Sequence, residues 1–443
     1  MRIGIFTDTY LPYVSGLVTS ELMLKKALEK MGHEVFVVTA NLENFKYDND
    51  KENKIIRISG IPIGIYDARL TGIYSLNAIS EIKKWKLDII HSQTEFGIGT
   101  FARIVAKQLN IPLVHTYHTL YEDYVYYITK GHFDKTSKKV VEYLTRFYCD
   151  TTVSGLIVPS RKIYNLFTDK YKVSRNINII GTGMDNDRFF IENIDKDKVI
   201  KLKEKYNLTK DDFVIGTVCR VAKEKSVDKI IINFKEILKK ITNAKLLIVG
   251  DGPDREAMES LVNSLDLNKR VVFTGKIPIE EVQFYYRLMN IFVTFSITET
   301  QGLTVLEAMA SSLPILAIND DSFVDSVKNN KNGYLFNNDQ EYLDYVYKLY
   351  CDKKLYEKMC NYSKELSKSH SNEEFAKKVY NVYVNTIKNY KSNKISSITR
   401  VFKGIKNQEK VSKNEEWYNH SFVFDKTCQK KTIENDEICS IMF

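Results

Sequence analysis

Short apolar runs bounded by turn residues alternate with amphipathic stretches along the first 180 residues. "RIGIF" at the N-terminus, "HEVFVVTA" after Gly32, "DIIHS" (88–92), "IPLVHTY" (111–117), "GLIVPS" (155–160) and "INIIG" (177–181) have the length of buried strands. Between them, "LVTSELMLKKALEKM" repeats apolar residues at helical spacing until Gly32 stops it, and further helices are predicted near 97–109 and from Arg161. A charged stretch, 191–208, breaks the beat. It resumes with "FVIGTV" (213–218), a helix from Ser226, "AKLLIVG" (244–250), a helix, "VVFTG" (271–275), "IFVTFS" (291–296), a helix over 303–312 and "PILAI" (314–318). Strands alternating with helices make a parallel sheet covered on both faces. The pattern therefore predicts an α/β chain of two Rossmann-like, doubly wound domains, 1–190 and 191–372. A terminal helix over 373–390, returning to the first domain, and a Lys/Asn/Ser-rich polar tail, 391–443, follow. Two open α/β domains place their ligands outside the carboxyl ends of the strands, here in the cleft between them.

Composition adds three constraints. The net charge of +9 is mild for 443 residues, but residues 130–175 hold ten basic groups against four acidic ones. Such a face suits either a solvated helix surface or anionic lipid, at about 1 kcal/mol per cation near a membrane. No nucleic-acid motif accompanies it, so nucleic acid is not an expected partner. The six cysteines form no C-x-x-C pair, which speaks for a reducing compartment and against a zinc site. Asp8 interrupts the first apolar run, which therefore does not read as a signal peptide. No run approaches the roughly 18 apolar residues a membrane span needs. The expected location is cytoplasmic, with any membrane role peripheral.

The sharpest chemical signal is "TETQGLTVLEAMASSLPI" (298–315). Gly302 opens a helix whose first N–H groups, on Leu303 and Thr304, make an anion site suited to a diphosphate. Glu299 precedes it and Glu307 lies roughly 7.5 Å along it, at about 1.5 Å per residue. Carboxylates accept from vicinal diols and are wrong for phosphates, so Glu299 suits a sugar and Glu307 a ribose. "CRVAKEKS" (219–226) supplies Arg220 and Lys225, which would neutralise a leaving diphosphate. "VGDGPDRE" (249–256) has the position of a dinucleotide loop but lacks the third glycine, so it reads as a domain floor and not an NAD site. The D-x-D triplets at 48–50, 185–187 and 195–197 sit in polar stretches and imply no metal. Gly16 in the first loop and His118 past a strand end are each weak signals alone.

The stretch at 298–315 resembles the E-x7-E motif of retaining GT-B glycosyltransferases, and "CRVAKEKS" resembles their G-R-x-x-x-x-K pattern with Cys219 in the glycine position. The resemblance covers roughly residues 1–390. It implies two Rossmann-like domains facing across a cleft and a nucleotide-sugar donor as substrate, with no cofactor and no metal. It places Gly16 at the donor, His118 at the transferred sugar, Lys276 and Ile277 of "GKIP" at the base, and Glu299, Gln301, Gly302, Leu303, Thr304 and Glu307 around sugar, diphosphate and ribose. "HTYHTLYEDYVYYITKG" (115–131) and "TETQGLT", with Gln301 where most members have an aromatic or Gly, are most similar to bacterial 1,2-diacylglycerol 3-glucosyltransferases. That implies UDP-glucose as donor, diacylglycerol as acceptor and an anionic membrane surface as partner, on the inner face of the cell membrane. The segment 66–86 is expected either to lie on the bilayer or to be an ordinary surface helix. "GTGMD" (181–185) departs from the family's P-x-G-x-D. Members of this type transfer with the leaving diphosphate itself accepting the acceptor's proton. A soluble or polyprenyl-linked saccharide acceptor, an epimerase or hydrolase on the same frame, and a non-catalytic relative stand as the other readings; the last would have lost one of Arg220, Lys225, Glu299 or Glu307.

Overall fold

The computed structural model describes residues 1–13, 16–41, 46–62, 69–71, 75–118 and 142–411, with backbone alone for 60–62, 69–71 and 392–411. Its first sheet contains β1 (Arg2–Thr7), β2 (Glu34–Asn41), β3 (Asp48–Asp50), β4 (Ile55–Pro62), β5 (Arg69–Thr71), β6 (Ile89–Ser92), β7 (Leu113–Thr116), β8 (Gly155–Val158) and β9 (Ile177–Ile179). They lie in the order β3-β4-β2-β1-β6-β7-β8-β9, with β5 on β4. Pairings are parallel except those of β3 and β5 with β4. The second sheet, entirely parallel, runs β12-β11-β10-β13-β14-β15, from β10 (Phe213–Val218), β11 (Ala244–Val249), β12 (Val271–Phe273), β13 (Ile291–Thr294), β14 (Ile315–Ile318) and β15 (Gly333–Phe336).

Each sheet reverses its winding once. The chain moves outward from β1 through β2 and β4, then returns to β6 on the other side of β1. In the second sheet it leaves β10 through β11 and β12 and returns to β13. A crevice opens at such a reversal, because the two loops leave the strand ends in opposite directions. The loops after β1, β6 and β7 carry Gly16, Gln93 and His118; those after β10 and β13 carry Arg220, Lys225, Glu299 and Gly302.

The strands are continuous apolar runs because helices cover both faces. Ile215, Leu246, Ile248, Ile291 and Val293 pack against Ile230, Ile231, Phe234 and Ile237 of the helix Val227–Leu238. Leu247, Val249, Phe292 and Ile315 face Val305, Leu306, Ala308 and Met309 on the other side. In the first sheet Ile3, Ile5, Val114 and Ile157 bury Phe375, Ala376, Val379 and Tyr383 of the last helix. That helix runs Asn372–Val411, well beyond the predicted end at 390.

Three local expectations change. Residues 48–50 form the edge strand β3 and not a loop. The charged stretch 191–208 contains the helix Lys196–Lys205, capped by Asp195, whose side chain accepts from the N–H groups of Asp197 and Lys198. Within 66–86, the helix Leu76–Trp85 turns Ala78, Ile82 and Trp85 into the core beside Phe36. Its apolar stripe serves the domain and does not face a bilayer; residues 66–68 and 72–74 of that segment lie outside the described residues. Compact packing spans Met1–Tyr390, while Lys391–Phe443 forms a separate unit.

Candidate active site

The glutamate-rich loop is built around one glycine. Gly302 adopts φ +77°, and a Cβ there would stand 2.5 Å from the Phe323 ring. Only glycine fits, and its left-handed turn launches the helix Leu303–Ala310 directly behind the end of β13. The N–H groups of Leu303 and Thr304 donate to no protein group among the described residues, which leaves the helix start open to an anion. Glu307 accepts at Oε2 from the Tyr286 hydroxyl, 2.6 Å away. Burial raises the Glu307 carboxyl above its usual range and raises Tyr286 as well.

Lys225 and Glu299 are brought together. Lys225 Nζ lies 2.5 Å from Glu299 Oε1, and both side chains are about a quarter exposed or less (20% and 24%). A cation suited to phosphate and an acid suited to sugar hydroxyls thus hold each other. Arg220 is exposed and makes no ion pair among the described residues. Cys219 has ordinary backbone geometry, so the loop needs no glycine there; burial pushes its thiol up to about 11, leaving it inert. The glycines of "VGDGPDRE" serve packing. A Cβ at Gly250 would lie 2.0 Å from the Cys219 carbonyl oxygen and one at Gly252 2.2 Å from that of Val221. Their absence lets the two loops stack. Lys276 is exposed and Ile277 half-buried on the adjoining loop.

Across from this, His118 belongs to a buried polar cluster at the other reversal point. Its Nε2 lies 2.7 Å from Gln93 Oε1. An amide oxygen only accepts, so the neutral ring carries its proton on Nε2 and presents Nδ1 as an acceptor. Burial pushes the His118 imidazole down to about 4, opposed by Glu95 and assisted by His115. His91 sits beneath, with Nδ1 2.6 Å from the Tyr383 hydroxyl and Nε2 2.7 Å from Thr116 Oγ1. Gln93 was absent from the sequence-based candidates. No local signal marked it: only the parallel pairing of β6 with β7 makes the residues just past their ends neighbours. Glu95, His115 and Cys149 place their ligand atoms within 4.8 Å of each other. However, both ring nitrogens of His115 are engaged, by Ser92 O and Glu95 Oε1, and the group reads as hydrogen-bonded core.

Gly16 is exposed at the start of the helix Gly16–Lys30, and a Cβ there would touch nothing within 4 Å. Gln301 is directed elsewhere than expected. Its Oε1 accepts from Thr182 N (2.7 Å) and its Nε2 donates to Thr182 O (3.1 Å). The basic stretch 130–175 is also reduced as a surface. Lys162 bonds to Asp320 (3.0 Å) and the Ile297 carbonyl of the second domain, and Arg175 to the Asp150 carbonyl (2.7 Å). Lys130, Lys135, Lys138 and Lys139 lie outside the described residues.

Two family models cover the chain in turn: Glycosyltransferase Family 4 over residues 14–188 and Glycosyl transferases group 1 over 198–366. An alpha-monoglucosyldiacylglycerol synthase of Acholeplasma laidlawii is 35% identical over 87% of this chain and 98% of its own. The chain belongs to the family 4 glycosyltransferases of GT-B fold. A second relative with the same name, from Streptococcus pneumoniae, is 38% identical over 72% of this chain and 71% of its own. Among solved structures, the HepE protein of Anabaena, in complex with UDP and glucose, superposes with TM-score 0.63 at 16% identity, covering 87% of this chain and all of that one. Sucrose-phosphate synthase of Thermosynechococcus elongatus gives 0.64 at 18%, covering 87% and 98%. These likenesses show the shared GT-B fold. No helix of the described residues is long and apolar enough to cross a membrane.

Proposed function

We propose that this glycosyltransferase moves glucose from UDP-glucose to the 3-hydroxyl of 1,2-diacylglycerol with retention, making an α-glucosyl lipid at an anionic membrane surface. The observation that carries the donor half is the open helix start at Gly302 with the Lys225–Glu299 pair beside it. A diphosphate meets N–H donors and a cation there, and an attached sugar meets a carboxylate. The bond from the sugar's anomeric carbon to the β-phosphate oxygen breaks. The bond to the glycerol oxygen forms on the same face, and the hydroxyl proton passes to the departing UDP. Arg220 and Lys225 stabilise the charge growing on that leaving group, Glu307 takes the ribose, and His118 orients the sugar through Nδ1. No protein nucleophile and no metal enters this scheme.

The acceptor half rests on likeness over nearly the whole length of the Acholeplasma relative, whose name specifies a glucosyldiacylglycerol product. One surface feature agrees with a lipid acceptor. Tyr143 is 70% and Phe147 43% exposed, one helical turn apart, with the exposed Arg146 between them. Aromatic and cationic groups together suit a headgroup boundary. The test incubates the purified protein with UDP-glucose and vesicles of diacylglycerol plus anionic phospholipid. An α-glucosyl lipid formed only with vesicles is expected. UDP release onto soluble saccharides without lipid would overturn the acceptor, and faster turnover of UDP-galactose or UDP-N-acetylglucosamine would overturn the donor.

A further inference from the structure

The chain crosses between its two sheets twice, through 181–184 and through 370–372, and the crossings pair: Met184 N donates to His370 O (2.9 Å) and Asn372 N to Met184 O (3.1 Å). Gln301 grips the first crossing. Its amide makes both hydrogen bonds of Thr182, as a neighbouring strand would, and only 7% of the residue is exposed. The Thr182 hydroxyl is tied in turn to Ser20 of the first domain, which donates from its Oγ at 3.3 Å. Space for this grip exists because residue 181 is glycine. A Cβ there would lie 2.7 Å from Gln301 Nε2, 3.0 Å from its Cδ and 3.3 Å from the Pro159 carbonyl oxygen. Gly181 has no positive φ, so it is required for room and not for backbone conformation. Gly181 and Gln301 are thus fitted to each other in this chain.

We propose that Gln301 is a positioning residue that latches the donor loop to the interdomain hinge. It stands directly before Gly302 and two residues after Glu299, so its grip on Thr182 holds the sugar and diphosphate contacts in one place relative to the first domain. This rests on the donor-site reading above but makes a claim that can be checked without turnover.

The first measurement is residue-resolved hydrogen exchange at the Thr182 amide, in the full chain. Slow exchange that Gln301→Ala accelerates by about tenfold or more is expected for the loss of a buried hydrogen bond. Equally fast exchange in both proteins would overturn the latch. The second is a double-mutant cycle on glucosyl transfer with Gln301→Ala and Gly181→Ala. Each single change should lower kcat about tenfold, with UDP affinity by calorimetry within about twofold and the melting temperature nearly unchanged. The double variant should be little worse than Gln301→Ala, because the methyl added at 181 then keeps only its 3.3 Å contact with the Pro159 carbonyl oxygen. Strictly additive losses, or weakened UDP binding at intact kcat, would refute the latch; the second result would make Gln301 a donor ligand. If the wild type turns over no nucleotide sugar, the proposed function fails, while the Thr182 exchange and the UDP titration still decide the latch.

Discussion

The reacting groups work at residue scale by pairing opposite needs. Lys225 and Glu299 neutralise each other. A pair this exposed contributes little stability, on the order of 0–1 kcal/mol, so a donor can part it at small cost. In the proposed reaction, Lys225 then faces the diphosphate and Glu299 the sugar. Lys225→Ala is therefore expected to leave the fold intact and to slow transfer by about a hundredfold, the scale for losing one preorganised charge stabiliser. Steady-state kinetics with UDP-glucose checks this, and turnover within about threefold of wild type would remove Lys225 from the mechanism. His118 shows what spacing alone misses. The histidine was legible as a residue past a strand end, but its proton position depends on Gln93, which is 25 residues away in the chain.

At the scale of elements, the helix Leu303–Ala310 is a platform aimed by its first turn. Val305, Leu306, Ala308, Met309 and Ala310 are all buried, which fixes the axis against the sheet. Gly302 supplies the left-handed entry. Gly302→Ala meets a double penalty, a φ of +77° and a Cβ 2.5 Å from Phe323. About 2–4 kcal/mol of stability is expected to be lost, read as a lower melting temperature with weaker UDP binding. An unchanged melting temperature would mean that the loop takes another path. The strand and helix beats of 1–190 and 213–318 were readable because parallel strands buried on both faces are unbroken apolar runs. The stripe of Leu76–Trp85 was ambiguous for the opposite reason: an amphipathic helix carries no mark of whether protein or lipid meets its apolar side.

Over the whole molecule, burial of ionisable groups sets the response to pH. Burial holds His91, His115, His118 and His370 below the ordinary imidazole range, to about 4 for His118 and His370. The unfolded chain takes up these protons below about pH 6.5 and the folded one refuses them, so their stability is present above 6.5 and lost as pH falls. For His118 alone the loss by pH 4 is about 3 kcal/mol, from roughly 1.4 kcal/mol per unit. Asp8, raised to about 6 by burial, and Glu21 and Glu307, also raised by burial, act in the other sense, being most favourable below the unfolded carboxyl value. Five lowered histidines, His33 included, against these three carboxyls predict a melting temperature that falls between pH 6.5 and 4. A rise across that window in a pH series of thermal melts would contradict the assignment.

Alternating apolar periods determined that this chain makes two doubly wound domains. Local chemistry determined that Gly302, Glu299, Arg220 and Lys225 follow strand ends and that Glu307 lies on the helix after Gly302, because periodicity and helix starts act over a few residues. Which strand ends meet is a long-range matter, decided by sheet order. That order set Gln93 under His118 and Tyr286 on Glu307, and it stacked the 250–252 loop on Cys219 and Val221. It also turned two cations of the 130–175 stretch to other work and directed Gln301 to Thr182. A side chain's donors and acceptors are set by its residue type, but their partners exist only once the chain has closed on itself.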